Sequence, residues 1–208
     1  KKQLLAEIKK KQQETKNIDN QIAKLLRAAI AAANKKTATA AAKSNPKTSA
    51  ETTKATETSA KIVLTAEGKI ESNNFRANKG RLPYPVERGS ITLGFGNQPH
   101  PVYKSLMVHN SGVEITTDQG ANARAVFDGV VINVFNSTPV NKAVMIQHGD
   151  YFTVYQNLSS VSVGKGDKVS RKQSIGRVRS NGETGKTVLK FLILQNTSYI
   201  NPAGWLSN

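Results

Sequence analysis

The side chains best suited to chemistry are three histidines, His100, His109 and His148, and the nearby carboxylate of Glu114. Imidazole and carboxylate are zinc ligands and proton carriers, so their spacing decides what they can build. His100 precedes Pro101 in a loop, His109 starts an apolar segment and His148 ends one. No pair has the helical His-Glu-x-x-His spacing, so no ready-made ligand set is present. A Gly-x-Ser-x-Gly nucleophile elbow is absent, and Gly94-Phe95-Gly96 lacks the spacing and following helix of a phosphate loop. The chain has no cysteine, which excludes thiol chemistry, a disulfide framework and Cys-His zinc fingers.

The elements that must hold these residues fall into two compositional halves. Of fifteen glycines only Gly68 lies before residue 80, and of twelve aromatics only Phe75 does. Residues 1–79 carry 17 basic against 7 acidic side chains, and residues 80–208 carry 13 against 7, for a net charge of +16. The basic residues are scattered and not interleaved with aromatics, which disfavours a nucleic-acid partner. The longest apolar run, near Leu189, is interrupted by Lys190 and is too short for a transmembrane span. The chain opens Lys-Lys-Gln without a signal-peptide pattern, so targeting information is expected upstream of Lys1.

Residues 1–33 read as a helical arm with a heptad register: Leu4, Lys11, Ile18, Leu25 and Ala32 at d, Lys1, Ile8, Thr15, Ile22 and Ala29 at a. It is either the C-terminal end of a longer coiled coil, an arm of a helical hairpin, or an amphipathic helix packed on the domain. Residues 34–66 are rich in Ala, Thr and Lys, with Pro46 in the middle, and form a linker or a regulatory helix that orders only against a partner surface. Thr65 is placed to cap a short helix running to Ala77, with Asn78-Lys79-Gly80 as its stop. From there to residue 208, apolar segments of strand length at 90–95, 112–116, 123–127, 130–135, 143–148, 151–157, 173–178 and 188–195, separated by Gly, Asn and Asp, predict a mainly β, antiparallel domain spanning 67–208. Asp128-Gly129 and Gly166-Asp167 are turns, and Trp205 is expected to pack on the sheet from a terminal helical turn.

The order of blocks carries more than any one motif: Gly94-Phe95-Gly96, His100-Pro101, Asn110-Ser111-Gly112-Val113-Glu114, Val144 to Tyr151, Thr153 to Leu158, Gly166-Asp167-Lys168-Val169 and Val188 to Ile193. Over residues 80–206 this resembles the LytM domain of lysostaphin-type zinc endopeptidases, which cut peptidoglycan cross-bridges. The resemblance places the family's first ligand His on Asn110 and its ligand Asp on Glu114. It places the catalytic His on Asn157, and the last His-x-His block on Val188 and Lys190. Only Glu114 could still bind a metal, so no cofactor and no catalytic residue is expected.

Strand parity puts Asn110 with Glu114, and Val188 with Lys190, on one face, and turns His109 away from it. An ammonium has no free lone pair and repels a cation, so Lys190 is expected either to pair with Glu114 in place of the metal or to point into solvent. Along the last long strand Leu189, Phe191 and Ile193 have core parity, while Val188, Lys190, Leu192 and Leu194 line a second, largely apolar face. That face is either a groove suited to a helix or a surface covered by another segment of this chain, for instance residues 48–66. Tyr103, Tyr151, Tyr155 and Arg124 are candidate rim residues.

A helical arm, an Ala-rich linker and a LytM-like domain without its ligands together resemble the EnvC-type murein hydrolase activators of cell division. That resemblance implies a periplasmic pseudoenzyme whose groove binds an N-acetylmuramoyl-L-alanine amidase. It also implies a helical region that covers the groove and recruits a membrane division complex, with peptidoglycan itself a further partner. The competing readings are a residual peptidase using Glu114 with His148 or His100, a passive cell-wall binding module, and a coiled-coil scaffold capped by the β domain.

Overall fold

A computed structural model of the protein describes residues 2–44, 60–100 and 103–207. The first helix, α1 (Lys2–Ser44), runs eleven residues past the expected end at 33. The alanines of its last turns permit that extension. The rest of the expected linker segment, 45–59, including Pro46 and most of the helix envisaged over 48–66, lies outside the described residues. The second helix, α2 (Ala66–Ala77), starts where Thr65 Oγ1 accepts a hydrogen bond from the Gly68 amide, and its C-cap is Asn78. Gly80 then turns the chain in the left-handed region, at φ 76°. Among the described residues no helix is long and apolar enough to cross a membrane.

Among the described residues twelve strands follow: β1 (Ser90–Leu93), β2 (Gly96–Pro99), β3 (Met107–Asn110), β4 (Val113–Thr117), β5 (Asn122–Arg124), β6 (Gly129–Thr138), β7 (Asn141–His148), β8 (Tyr151–Val161), β9 (Lys168–Val169), β10 (Ser174–Val178), β11 (Thr187–Gln195) and β12 (Ser198–Ile200). The main sheet runs β1-β4-β11-β8-β7-β6-β9, with β12 added to β11 and β10 joining β8 to β5. Among the described residues every pairing between these strands is antiparallel, and an isolated bridge between Leu82 and Leu206 is parallel. Strands β2 and β3 form a separate hairpin beside it.

The sheet is covered on both faces, which explains why β8 and β11 are apolar on both parities. One face carries Val113, Tyr151, Tyr155, Leu189, Phe191 and Ile193, closed by Phe75 of α2 and by Trp205. The Phe75 ring stacks on His148 at 4.7 Å and on Tyr151 at 5.0 Å, and lies 5.2 Å from Trp205, which follows a short 3-10 turn at Pro202–Gly204. The other face carries Phe135, Met145, Phe152, Val154, Leu192 and Leu194, and its cover is α1. Ile22, Leu26 and Ile30 of α1 are fully buried there, with Ile18 and Leu25 beside them. Burial of three such side chains contributes roughly 2 kcal/mol each before ordering costs. The buried row advances by four residues from Ile22 to Asn34, and not by heptads; the expected d residues Lys11 and Ala32 are exposed. A helix lying singly on a sheet needs no supercoil, so the straight i, i+4 row wins over the 3.5-residue repeat.

Asn34 moors the far end of this cover. Its Nδ2 donates to the Lys61 carbonyl at 3.1 Å, and its Oδ1 accepts from the Val63 amide at 2.7 Å. The Ile62 amide donates to Asn196 Oδ1 at 2.9 Å, tying the returning chain to the end of β11.

Candidate functional site

The site lies where β4, β11 and β8 run side by side. Glu114 is registered directly opposite Lys190, and Lys190 directly opposite Gln156, so three polar side chains cross the sheet in one row. A cavity of about 910 Å³ opens above this row, lined on the sheet side by Glu114, Gln156, Asn157, Val188 and Lys190 and by Asn110 at the end of β3. Its roof is the first part of α1, lined by the half-buried Ile8, Thr15 and Ile18 and the exposed Lys11. Asn110, Glu114, Asn157, Val188 and Lys190, the positions onto which the resemblance carries the family's ligand and catalytic residues, thus lie around one cavity beneath a helix.

Two local devices shape the floor. Ser111-Gly112 is a bend between β3 and β4. A Cβ on Gly112 would stand 2.3 Å from the Phe191 carbonyl oxygen, so only glycine lets this bend lie flat on β11. Asn110 is buried beside it, donating from Nδ2 to the Gly94 carbonyl at 2.9 Å and accepting the Gly112 amide on Oδ1 at 3.4 Å. Asn157 adopts φ 67° and donates to the Val188 carbonyl at 3.3 Å. Its left-handed backbone coincides with a register shift between β7 and β8, and this reverses the parity of the strand.

That reversal corrects one expected rim residue. Tyr155 belongs to the core on the opposite face, fully buried, its ring 5.2 Å from Phe191 and its hydroxyl accepting the Val126 amide at 2.9 Å. Gln156 takes the groove position in its place. Tyr151 likewise packs in that opposite core. Arg124 does not line the cavity; its Nε donates to the Tyr84 carbonyl at 3.0 Å, holding the segment before β1. Leu192 has the expected face, but Ile22, Leu26 and Ile30 share its apolar cluster and cover it. Tyr103 does not line the cavity; its ring lies 5.5 Å from that of His100, which does. His109 also lines the cavity, paired through Nδ1 with Asn97 Oδ1 at 2.8 Å. Parity failed for His109 because β3 and β4 are not one strand: the 111–112 bend separates them.

The electrostatics centre on Lys190, which is 8% exposed. Burial pushes its ammonium below the usual lysine range, opposed by attraction from Asp19 of α1 and then from Glu114. Asp19 was not foreseen at this site. Its Oδ2 accepts the Ser111 hydroxyl at 2.5 Å, while Oδ1 is buried with no hydrogen-bond partner. The Tyr199 hydroxyl, whose pKa burial and the Asp19 charge push up, donates to the Asp19 carbonyl at 3.4 Å. The sequence did hold a signal: Asp19 is the one acidic residue between Glu14 and Glu51, and Ile22, Leu26 and Ile30 follow it at helical spacing.

These residues do not fit a zinc ion. Catalytic zinc takes about three lone-pair donors and one open position. Here three amides, of Asn110, Gln156 and Asn157, an aliphatic side chain and an ammonium surround a single carboxylate from β4. Among the described residues no three His, Asp or Glu side chains gather as a metal site.

His148 cannot be enlisted for residual peptidase chemistry. It is on the far core, its Nδ1 against the Asp128 carbonyl at 2.6 Å and its Nε2 against Thr153 Oγ1 at 2.9 Å. Burial lowers its pKa from 6.5 to about 4. Because the folded value lies below the unfolded one, the neutral form stabilises the fold fully above pH 6.5. That contribution, about 3 kcal/mol, is lost as pH falls from 6.5 to 4. His148→Gln is expected to flatten this part of the stability profile in urea melts at pH 7 and pH 4.5; an unchanged slope contradicts it.

Comparison with known proteins agrees with this architecture. Residues 108–202 match peptidase family M23. Peptidoglycan DD-endopeptidase ShyA of Vibrio cholerae is 39% identical over 106 residues, covering 50% of this chain and 24% of that protein. Stage II sporulation protein Q of Bacillus subtilis is 28% identical over 109 residues, covering 50% of this chain and 38% of that protein. The chain thus spans well under half the length of these curated relatives. The crystal structure of the SpoIIIAH and SpoIIQ complex superposes with a TM-score of 0.52 at 26% identity, covering 61% of this chain and 100% of the matched one. The stretch 108–202, with the cavity of Asn110, Glu114, Asn157 and Lys190 in it, is thus the part of the chain that matches peptidase family M23.

Proposed function

We propose that this protein is a non-catalytic, EnvC-like activator of N-acetylmuramoyl-L-alanine amidases that act on peptidoglycan at the separation of daughter cells. The observation that carries the reading is Lys190: an ammonium projects from β11 into the family's cleft, where a metal ligand would be needed. Three features support a binding role. The cleft floor beyond Lys190 is apolar, a helix already lies on it, and a solved relative crystallised as a complex of two proteins. In this reading α1 is the cover and residues 34–66 its regulatory continuation, joined to the 67–208 domain. The preceding helical region engages a membrane division complex, and the protein works in the periplasm.

The mechanism is differential binding. The groove favours the amidase conformation whose own blocking segment is displaced, since equal affinity for both states shifts nothing. The test mixes the purified protein with dye-labelled peptidoglycan, with and without an amidase of the same cell. Dye release is expected only in the mixture. Release by the protein alone returns it to the peptidases, and pelleting with peptidoglycan without stimulation makes it a passive wall binder.

A further inference from the structure

We infer that the ancestral metal position has become a carboxylate socket, occupied in cis by Asp19, and that the partner helix which replaces α1 supplies its own acidic residue there. The inference deepens the activator reading and rests on it for the identity of the partner. Its geometry is independent of that reading. The socket has three parts: the Ser111 hydroxyl bonded to Asp19 Oδ2, the Lys190 ammonium attracted to the same carboxylate, and the flat Gly112 bend over Phe191 that sets Ser111 beside β11. Ser111 is 2% exposed and Lys190 8%, so the donors are buried and aimed inward. Asp19 Oδ1 is buried without a hydrogen bond, leaving that oxygen to interact by charge.

A charge held this way carries information that an apolar groove does not. Leu192 and Leu194 accept any greasy helix, but leaving Lys190 buried without a counter-charge is strongly unfavourable. An occupant is therefore selected by an acidic residue followed by apolar residues at +3, +7 and +11. That is the spacing of Asp19, Ile22, Leu26 and Ile30. Glu114, directly across from Lys190, is the second carboxylate whose charge reaches the lysine, after that of Asp19.

The probe is a fluorescent peptide with the sequence of residues 15–36 of this chain, in its natural form and with Asp19→Asn, titrated into the full chain. The natural chain, with α1 seated, is expected to bind neither peptide well. The Asp19→Asn chain, whose own cover is weakened, is expected to bind the natural peptide about tenfold or more tightly than the amide peptide, the worth of a charge-assisted contact. Adding Lys190→Met to that chain is expected to erase the difference. Equal binding of both peptides to the Asp19→Asn chain overturns the socket. Should neither peptide bind, amide exchange in α1 decides. Exchange over residues 18–34 must quicken in the Asp19→Asn chain and slow again when Lys190→Met is added, and a failure of either change also overturns it. A peptide bound by swapping α1 between two copies shows as a dimer by light scattering, and that outcome removes the separate partner. The amidase assay is separate: absent stimulation refutes the activator reading while leaving the peptide preference standing.

Discussion

Leu26→Asp is expected to lift α1 from the sheet and to raise amidase stimulation about tenfold or more. Leu26 is fully buried midway along the apolar row of α1. A carboxylate there loses the transfer energy of the leucine and adds the cost of an unpaired buried charge, together several kcal/mol. The closed arrangement then loses its advantage, and each 1.4 kcal/mol withdrawn multiplies the open fraction tenfold until that fraction dominates. The initial rate of dye release gives the readout. Amide exchange in β7, β8 and β11 shows that the sheet persists, because those strands keep their second core around Phe191 and Ile193. If α1 exchanges freely and the amidase runs no faster, α1 is not a functional cover.

The second large effect concerns metal. Asn110→His, Glu114→Asp and Lys190→His together restore the donor set that the LytM resemblance assigns to these positions. The triple variant is expected to retain about one zinc per chain after dialysis, while the natural chain retains far less. All three side chains line one cavity, and Glu114 and Lys190 are registered opposite each other on adjacent strands. The decisive control keeps Lys190 and changes only the other two. It is expected to take up almost none, because the ammonium both withholds a lone pair and repels the ion. Stoichiometric zinc in that control, by mass spectrometry of the metal, removes Lys190 from its role.

Much of this arrangement was legible in the residues. The cap at Thr65, the stop at Gly80 and the two faces of β11 follow from local chemistry and period-2 alternation, and all are found. Parity failed where the backbone left the extended region. Asn157 at φ 67° and the Ser111-Gly112 bend each reset it, which misplaced Tyr155 and His109. The cover was misread in register because heptads describe helix on helix, whereas α1 meets a sheet. Asp19 was missed for a different reason. Its socket partner Ser111 is 92 residues away in sequence, and no local rule connects a helix to a bend at that distance.

The unequal fastening of α1 has a consequence for how it is exchanged. Its end near Asn34 is laced to Lys61 and Val63, its middle is packed, and its first turns roof a cavity, held there by Gln12 Nε2 donating to the Met107 carbonyl at 3.0 Å. Such a helix opens as a peeling strip. In the activator reading an incoming helix finds a toehold over residues 8–18, where only the half-buried Ile8 and Ile18 must first be uncovered, and then advances one turn at a time as α1 retreats. Each step trades one contact for another, so the full cost of baring the floor is never met at once, and the latch at Asp19 is the first turnstile on that path.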